Sequence, residues 1–106
     1  MFRAVLACLV IAGCTSNSSG VDSTSITCPP DSTLTYENFG QVLVTEQCLS
    51  CHASKERPAL TTKESIQSNR QLILRSAVTS TSMPKGSAMQ LAERELLGEW
   101  LACGAP

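Results

Sequence analysis

Aromatic side chains are scarce in this chain of 106 residues: one Trp, one Tyr and two Phe make up 4% of it, and there is a single histidine, His52. A small domain with so few large rings buries little apolar area and needs some further staple. No hydrophobic run approaches the roughly 18 residues that cross a bilayer, which excludes a polytopic membrane protein. Dense Lys/Arg runs are missing too. Eight basic residues stand against nine acidic ones, a formal charge of −1, so nothing is set up to neutralise a phosphate backbone and nucleic acid is not an expected partner. The alternation of apolar and polar residues that marks strands is also absent. What the chain does have is cysteine: six residues, in a sequence whose 42% hydrophobic content argues against wholesale disorder.

The first residues carry one positive charge, Arg3, followed by the apolar stretch Ala4 to Ala12, then Gly13 and Cys14. A charged start, a short apolar run and a small-residue exit make a secretory signal over residues 1–13. The exit Ile11-Ala12-Gly13-Cys14 resembles the bacterial lipobox, which implies cleavage before Cys14 and lipidation of that cysteine. The alternative is an ordinary signal peptide that happens to hold a cysteine. Thr15 follows where an aspartate often accompanies inner-membrane retention, and the choice between inner and outer membrane stays open. Residues 14–27 are dominated by Ser and Thr, show no apolar periodicity, and read as a flexible tether with a reach of roughly 20 Å. Loss of Arg3 with the leader would take the formal charge from −1 to −2. Export also sets the redox compartment, in which cysteines tend to be paired or modified.

Residues 28–106 form the expected domain, an all-α bundle of about three helices without internal repeat. Thr35 can cap a first helix running to about Cys48, with Phe39, Val42 and Leu43 at helical spacing. Thr61 and Glu64 make a capping-box pattern for a second, whose Ile66, Ile73, Leu74 and Ala77 share a face. A third runs from about Ala92, or from an earlier Ser87–Gln90 box, to Cys103, with Leu96, Leu97, Trp100 and Leu101 as its stripe and Gly104 as its stop.

The centre of the sequence is Cys48-Leu49-Ser50-Cys51-His52, which ends on the chain's only histidine. In a chain of this composition the pattern arises by chance about 0.003 times, so it is a signal. Two thiols three residues apart at a helical end can each add to a vinyl group of haem, and the adjacent imidazole then reaches the iron from one face. A structural zinc site competes poorly, since it wants four ligands and Cys14, Cys28 and Cys103 lie far from the pair in sequence. A redox dithiol needs its first cysteine at a helix N-terminus, whereas this pair follows a helix. A plain Cys48–Cys51 disulfide beside a bystander histidine is the third alternative. The dispersed acidic residues read as solvated helix faces and form no independent catalytic set.

Over residues 28–106 the chain resembles a small bacterial mono-haem c-type cytochrome of class I type. The resemblance rests on Cys48-Leu49-Ser50-Cys51-His52, Arg57-Pro58-Ala59-Leu60, Met83-Pro84, and the ending Glu99-Trp100-Leu101-Ala102-Cys103-Gly104-Ala105-Pro106. It implies one covalent haem c bound by Cys48 and Cys51, with His52 on the iron. It also implies that Pro58 and Leu60 take the places of a Gly-Pro-x-Leu stretch whose proline carbonyl accepts from the histidine's other nitrogen. Arg57 stands where glycine is usual, and the gap after His52 is short.

With one histidine, bis-histidine ligation within a monomer is impossible, and methionine becomes the candidate for the sixth position. Met1 belongs to the leader. Pro84 biases Met83 away from helix, onto a loop where its thioether can face a metal; Met89 falls in helical phase with Ala92, Leu96 and Trp100 and reads as packing. Trp100 and Leu97 are expected against the haem or the first helix, with Phe39 as the opposing aromatic. Once the leader, lipid and haem cysteines are set aside, Cys28 and Cys103 remain for a disulfide closing a loop of about 76 residues, for which chain entropy gives roughly 4 to 5 kcal/mol. The expected function is that of a membrane-tethered periplasmic electron carrier that cycles between Fe(III) and Fe(II) and docks transiently on redox partners, with no small-molecule substrate. Mild acidity favours a partner with a basic patch. A peroxidase-type or ligand-binding haem protein with a labile sixth site, and a haem subunit of a larger oxidoreductase, are the alternatives.

Overall fold

The computed structural model describes residues 20–85 and 89–106; the leader, Cys14 and the Ser87 half of the Ser87–Gln90 box lie outside them. Among the described residues there is no strand, as expected of an all-α chain; where about three helices were expected there are five α-helices, which two wide turns group into three arms. In the first arm a wide turn at Tyr36–Gly40 leads into α1 (Gln41–Gln47) and α2 (Leu49–His52). The second arm is α3 (Lys63–Ser68), α4 (Arg70–Ile73) and another wide turn at Leu74–Val78. The third is α5 (Leu91–Ala102), which packs on the Leu74–Val78 turn.

Each arm starts on a side-chain cap. Thr35 Oγ1 accepts from Asn38 N at 3.1 Å while Asn38 Oδ1 accepts from Thr35 N at 2.7 Å, a reciprocal box that satisfies two backbone donors. The second arm is capped by Thr62, whose Oγ1 accepts from Ser65 N at 3.1 Å. The cap therefore sits one residue past the expected Thr61, and Glu64 lies outside the pairing. Gln90 and Glu93 form the box at the start of α5. Past α5, Gly104 (φ 96°) and Ala105 (φ 54°) turn the chain back in the left-handed region, and Ala105 N donates to Trp100 O at 2.8 Å.

The wide turns reset the helical phase. Gly40 N bonds to Thr35 O at 3.0 Å, five residues back, so one residue is added and everything downstream rotates by about 100°. Leu43 and Val44 consequently face inward, while Val42 is 55% exposed and leaves the expected stripe. Thr79 N reaches Leu74 O at 2.9 Å in the same way, and both Ala77 and Val78 are buried. On α5 the buried stripe is Arg94, Leu97, Gly98, Trp100 and Leu101; Leu96, expected within it, is 44% exposed because it stands about 100° from Leu97.

Trp100 is fully buried, edge-on to Phe39 with ring centroids 6.0 Å apart, and it lies so close to Gly40 that a Cβ there would overlap the indole. Its Nε1 donates to Pro106 O at 3.3 Å, and the same carbonyl accepts from Tyr36 N, which ties the third arm to the first. Gln67 Nε2 donates to Ala105 O at 3.0 Å and brings in the second arm. The Cys28–Cys103 disulfide is present and joins the entry of the domain to the end of α5. The Ser/Thr-rich stretch expected to tether the domain through Thr27 is seated on the fold from Gly20 onward: Val21 is buried and donates to Val78 O at 2.7 Å, and Ile26 packs against the core. Two isolated apolar residues are enough to dock it, although they form no periodic pattern.

Gly40→Ala should therefore lower unfolding free energy by about 1–3 kcal/mol through overpacking against Trp100. Removing the Cys28–Cys103 bridge by double serine substitution should cost about 2–5 kcal/mol. Urea unfolding followed by circular dichroism measures both.

Candidate functional site

A cavity of about 280 Å³, open on one side, lies between the first arm, the loop that follows it, the second arm and the segment around Met83. Cys48, Cys51 and His52 line it, and so do Pro58, Leu60 and Met83. Leu60, Ile73 and Ala77 give it an apolar, buried floor, and the exposed Glu56, Arg57 and Lys85 stand at its rim. Six of the residues singled out by the sequence thus meet at one place. Among the described residues, none of α5 lines the cavity: Trp100 packs on Phe39 and Gly40, the first-helix alternative of the two neighbours expected for it. Met89 is 1% exposed and belongs to the core.

Local backbone bonds set the first wall. Cys48 ends α1 and is also the N-cap of α2, so the pair does not simply follow a helix as expected but opens a short one; its carbonyl accepts from Cys51 N at 3.2 Å and from His52 N at 2.9 Å, which places the two thiols and the imidazole on one turn. The short gap after His52 is closed by Glu56 N to Cys51 O at 2.9 Å and Leu60 N to His52 O at 2.8 Å. Ser65 Oγ donates to Ala59 O and ties this loop to α3.

His52 Nδ1 lies 2.8 Å from Pro58 O. A carbonyl oxygen only accepts, so Nδ1 is the donor of this contact, and in the neutral ring the lone pair then lies on Nε2. That is the tautomer a metal-binding imidazole needs, held by a carbonyl contact of the kind that orients such rings.

The thiols differ in surroundings. Cys48 is half-buried and Cys51 exposed, and both are free rather than bonded to each other. Burial pushes the Cys48 thiol up to about 11, the reverse of the lowered value that a redox dithiol requires. Among the described residues no group of three or more His, Cys, Asp or Glu side chains is placed to hold a metal ion.

Met83 lies on a bend between the second and third arms, off any helix, and both of its backbone groups are bonded: Met83 N donates to Ser76 O at 2.9 Å and Met83 O accepts from the Arg94 side chain, Nη1, at 2.8 Å. Arg94 escapes a reading based on charge runs. Its signal is phase: it stands three, four and seven residues before Leu97, Gly98 and Leu101, a cation on a helix's apolar face. It is 2% exposed, and desolvation pulls its guanidinium below the ordinary value, opposed by neighbouring Glu93.

No family model, curated protein or solved structure matches the chain.

Because the fold keeps the Cys48 thiol neutral, the stability this contributes is fully present below the ordinary value of 9.0 and is lost as pH rises through about 11. Comparing the free-thiol chain with Cys48→Ser in urea should show a stability difference that is flat below pH 8 and shrinks between pH 9 and 11. A parallel pH dependence in the two proteins would show that Cys48 does not cause it.

Proposed function

We propose that the chain is a mono-haem c-type cytochrome, a carrier of single electrons attached through a lipid on Cys14 to the periplasmic side of a bacterial membrane. The observation that carries this reading is the meeting of Cys48, Cys51, His52 and Met83 on one cavity, with His52 Nδ1 committed to the Pro58 carbonyl. The donor set fits a haem: two thiols for thioether bonds, an imidazole with Nε2 available, and a thioether as the remaining axial donor. The apolar floor suits the macrocycle, and Arg57 and Lys85 supply cationic partners for its carboxylates. When bound, haem supplies the one-electron Fe(III)/Fe(II) couple.

The chain's own residues then determine how that couple behaves. Pro58 fixes the tautomer and orientation of His52. Met83, a soft donor, favours the ferrous state more than a second imidazole would, which raises the potential. With His52 and Met83 both holding a bound haem iron, the site would favour outer-sphere electron transfer over peroxide or oxygen chemistry. Leu60, Ile73 and Ala77 keep water from the floor of the cavity. Docking on redox partners is weak and brief, and the mild acidity of the chain suits a partner with a basic patch. Support for the location is the leader and the Ile11-Ala12-Gly13-Cys14 exit; no helix among the described residues is long and apolar enough to cross a membrane.

The full chain, matured in a host that attaches haem, should show by intact mass one haem, a lipidated Cys14 N-terminus and an intact disulfide, and should give a c-type spectrum in reduced alkaline pyridine. Met83→Ala should abolish the near-infrared sulfur-to-iron band and lower the midpoint potential. A colourless product of unmodified mass rejects the cytochrome reading. Rapid carbon monoxide binding by the wild-type protein replaces the carrier with the labile-site alternative.

A further inference from the structure

We propose that Arg94 is a positioning residue for Met83, a role that rests on the reading of Met83 as an axial ligand. Arg94 Nη1 donates to Ala77 O at 2.6 Å, to Met83 O at 2.8 Å and more distantly to Ser80 O at 3.4 Å. One nitrogen therefore gathers three carbonyls, from the end of the second arm, the loop after it, and Met83 itself. Met83 N is bonded to Ser76 O, so both backbone groups of this residue are fixed, and the thioether has only its own rotamers left to search.

The support behind the clamp is rigid. Arg94 stands on α5, whose Leu97, Trp100 and Leu101 are buried and whose end carries the Cys28–Cys103 bridge. The clamp is also costly, because Arg94 Nε is buried without a hydrogen-bond partner. Replacing Arg94 by an apolar side chain of similar length removes the stranded Nε but leaves the carbonyls of Ala77, Ser80 and Met83 without this donor. What the apolar chain could not do is collect the carbonyls that turn the loop back toward the cavity. A thioether held this way competes for iron against free ligands with its ordering already completed, as preorganised groups do.

The test uses the full matured haem protein with Arg94→Met and Arg94→Lys, and Ile66→Ala as a control that damages the core away from the cavity lining. Two quantities are read: the affinity of the ferric protein for added imidazole, and the exchange rate of the Met83 amide by NMR. Arg94→Met should bind imidazole at least tenfold more tightly than wild type and exchange the Met83 amide at least tenfold faster. Arg94→Lys, which keeps the charge but not the planar fork, should fall between them. Ile66→Ala should unfold at lower urea yet leave both quantities near wild type. The proposal is overturned if Arg94→Met matches wild type in imidazole affinity or in Met83 exchange, or if Ile66→Ala shifts both as far as Arg94→Met does. Should Arg94→Met fail to accumulate, Arg94→Lys and Arg94→Gln decide by the same criteria. If wild type binds imidazole as tightly as Met83→Ala does, Met83 is not a ligand and the parent reading fails, while the Met83 exchange rate still decides whether Arg94 holds the loop.

Discussion

A hydrogen bond at one nitrogen of His52 biases the ring toward offering the other to a metal, and in this chain a proline carbonyl six residues away accepts that bond. Pro58 has no N–H of its own to bring into the site, and its carbonyl is oriented by a loop pinned at Cys51, His52 and Ser65. If that loop opened, the imidazole would lose both its tautomer preference and its orientation. The positions of the two thiols depend less on it, because they share a helical turn with His52. The site is therefore half local and half tertiary: a five-residue motif places the two thiols and the imidazole, and the second arm, through Ser65, helps fix the direction in which the imidazole points.

The rest of the molecule compensates for a small core. Among the described residues thirteen apolar side chains make up the buried cluster, and the chain's one tryptophan joins the first and third arms. The cavity removes further packing from the middle of the fold. Against this loss stand the Cys28–Cys103 bridge, the returning tail at Ala105 and Pro106 that reaches all three arms, and the Arg94 clamp behind Met83. Each crosses between arms rather than reinforcing one, as expected where single helices are too short to be stable alone.

Sequence pattern captured the parts of this arrangement that are periodic or local. The three arms, the Thr35 cap, the Gly104 stop and the remaining pair of cysteines were legible, as was the difference between a methionine before proline and one in helical phase. Phase errors began at the wide turns: one added residue moved Val44 inward and Val42 out, and no composition rule marks where such a turn falls. Leu96 and Thr61 each missed by a single position for the same kind of reason, a register decided by tertiary packing. Arg94 was missed because a cation between Glu93 and Glu95 reads as a solvated face unless its spacing to Leu97 and Leu101 is weighed against its charge. Val21 and Ile26 were hidden by the serines and threonines around them.

The docking of Gly20 against the Thr79 carbonyl shortens any leash. A tether free from Cys14 to Cys28 could pay out to about 45–50 Å at full extension, whereas the stretch from Cys14 to Gly20 reaches no more than about 20–22 Å. A lipid on Cys14 would thus keep the domain hugging the bilayer, with its point of suspension beside the loop that leads to Met83. Such a carrier would favour partners whose docking faces lie low, near the headgroups, over those that project far into the surrounding space.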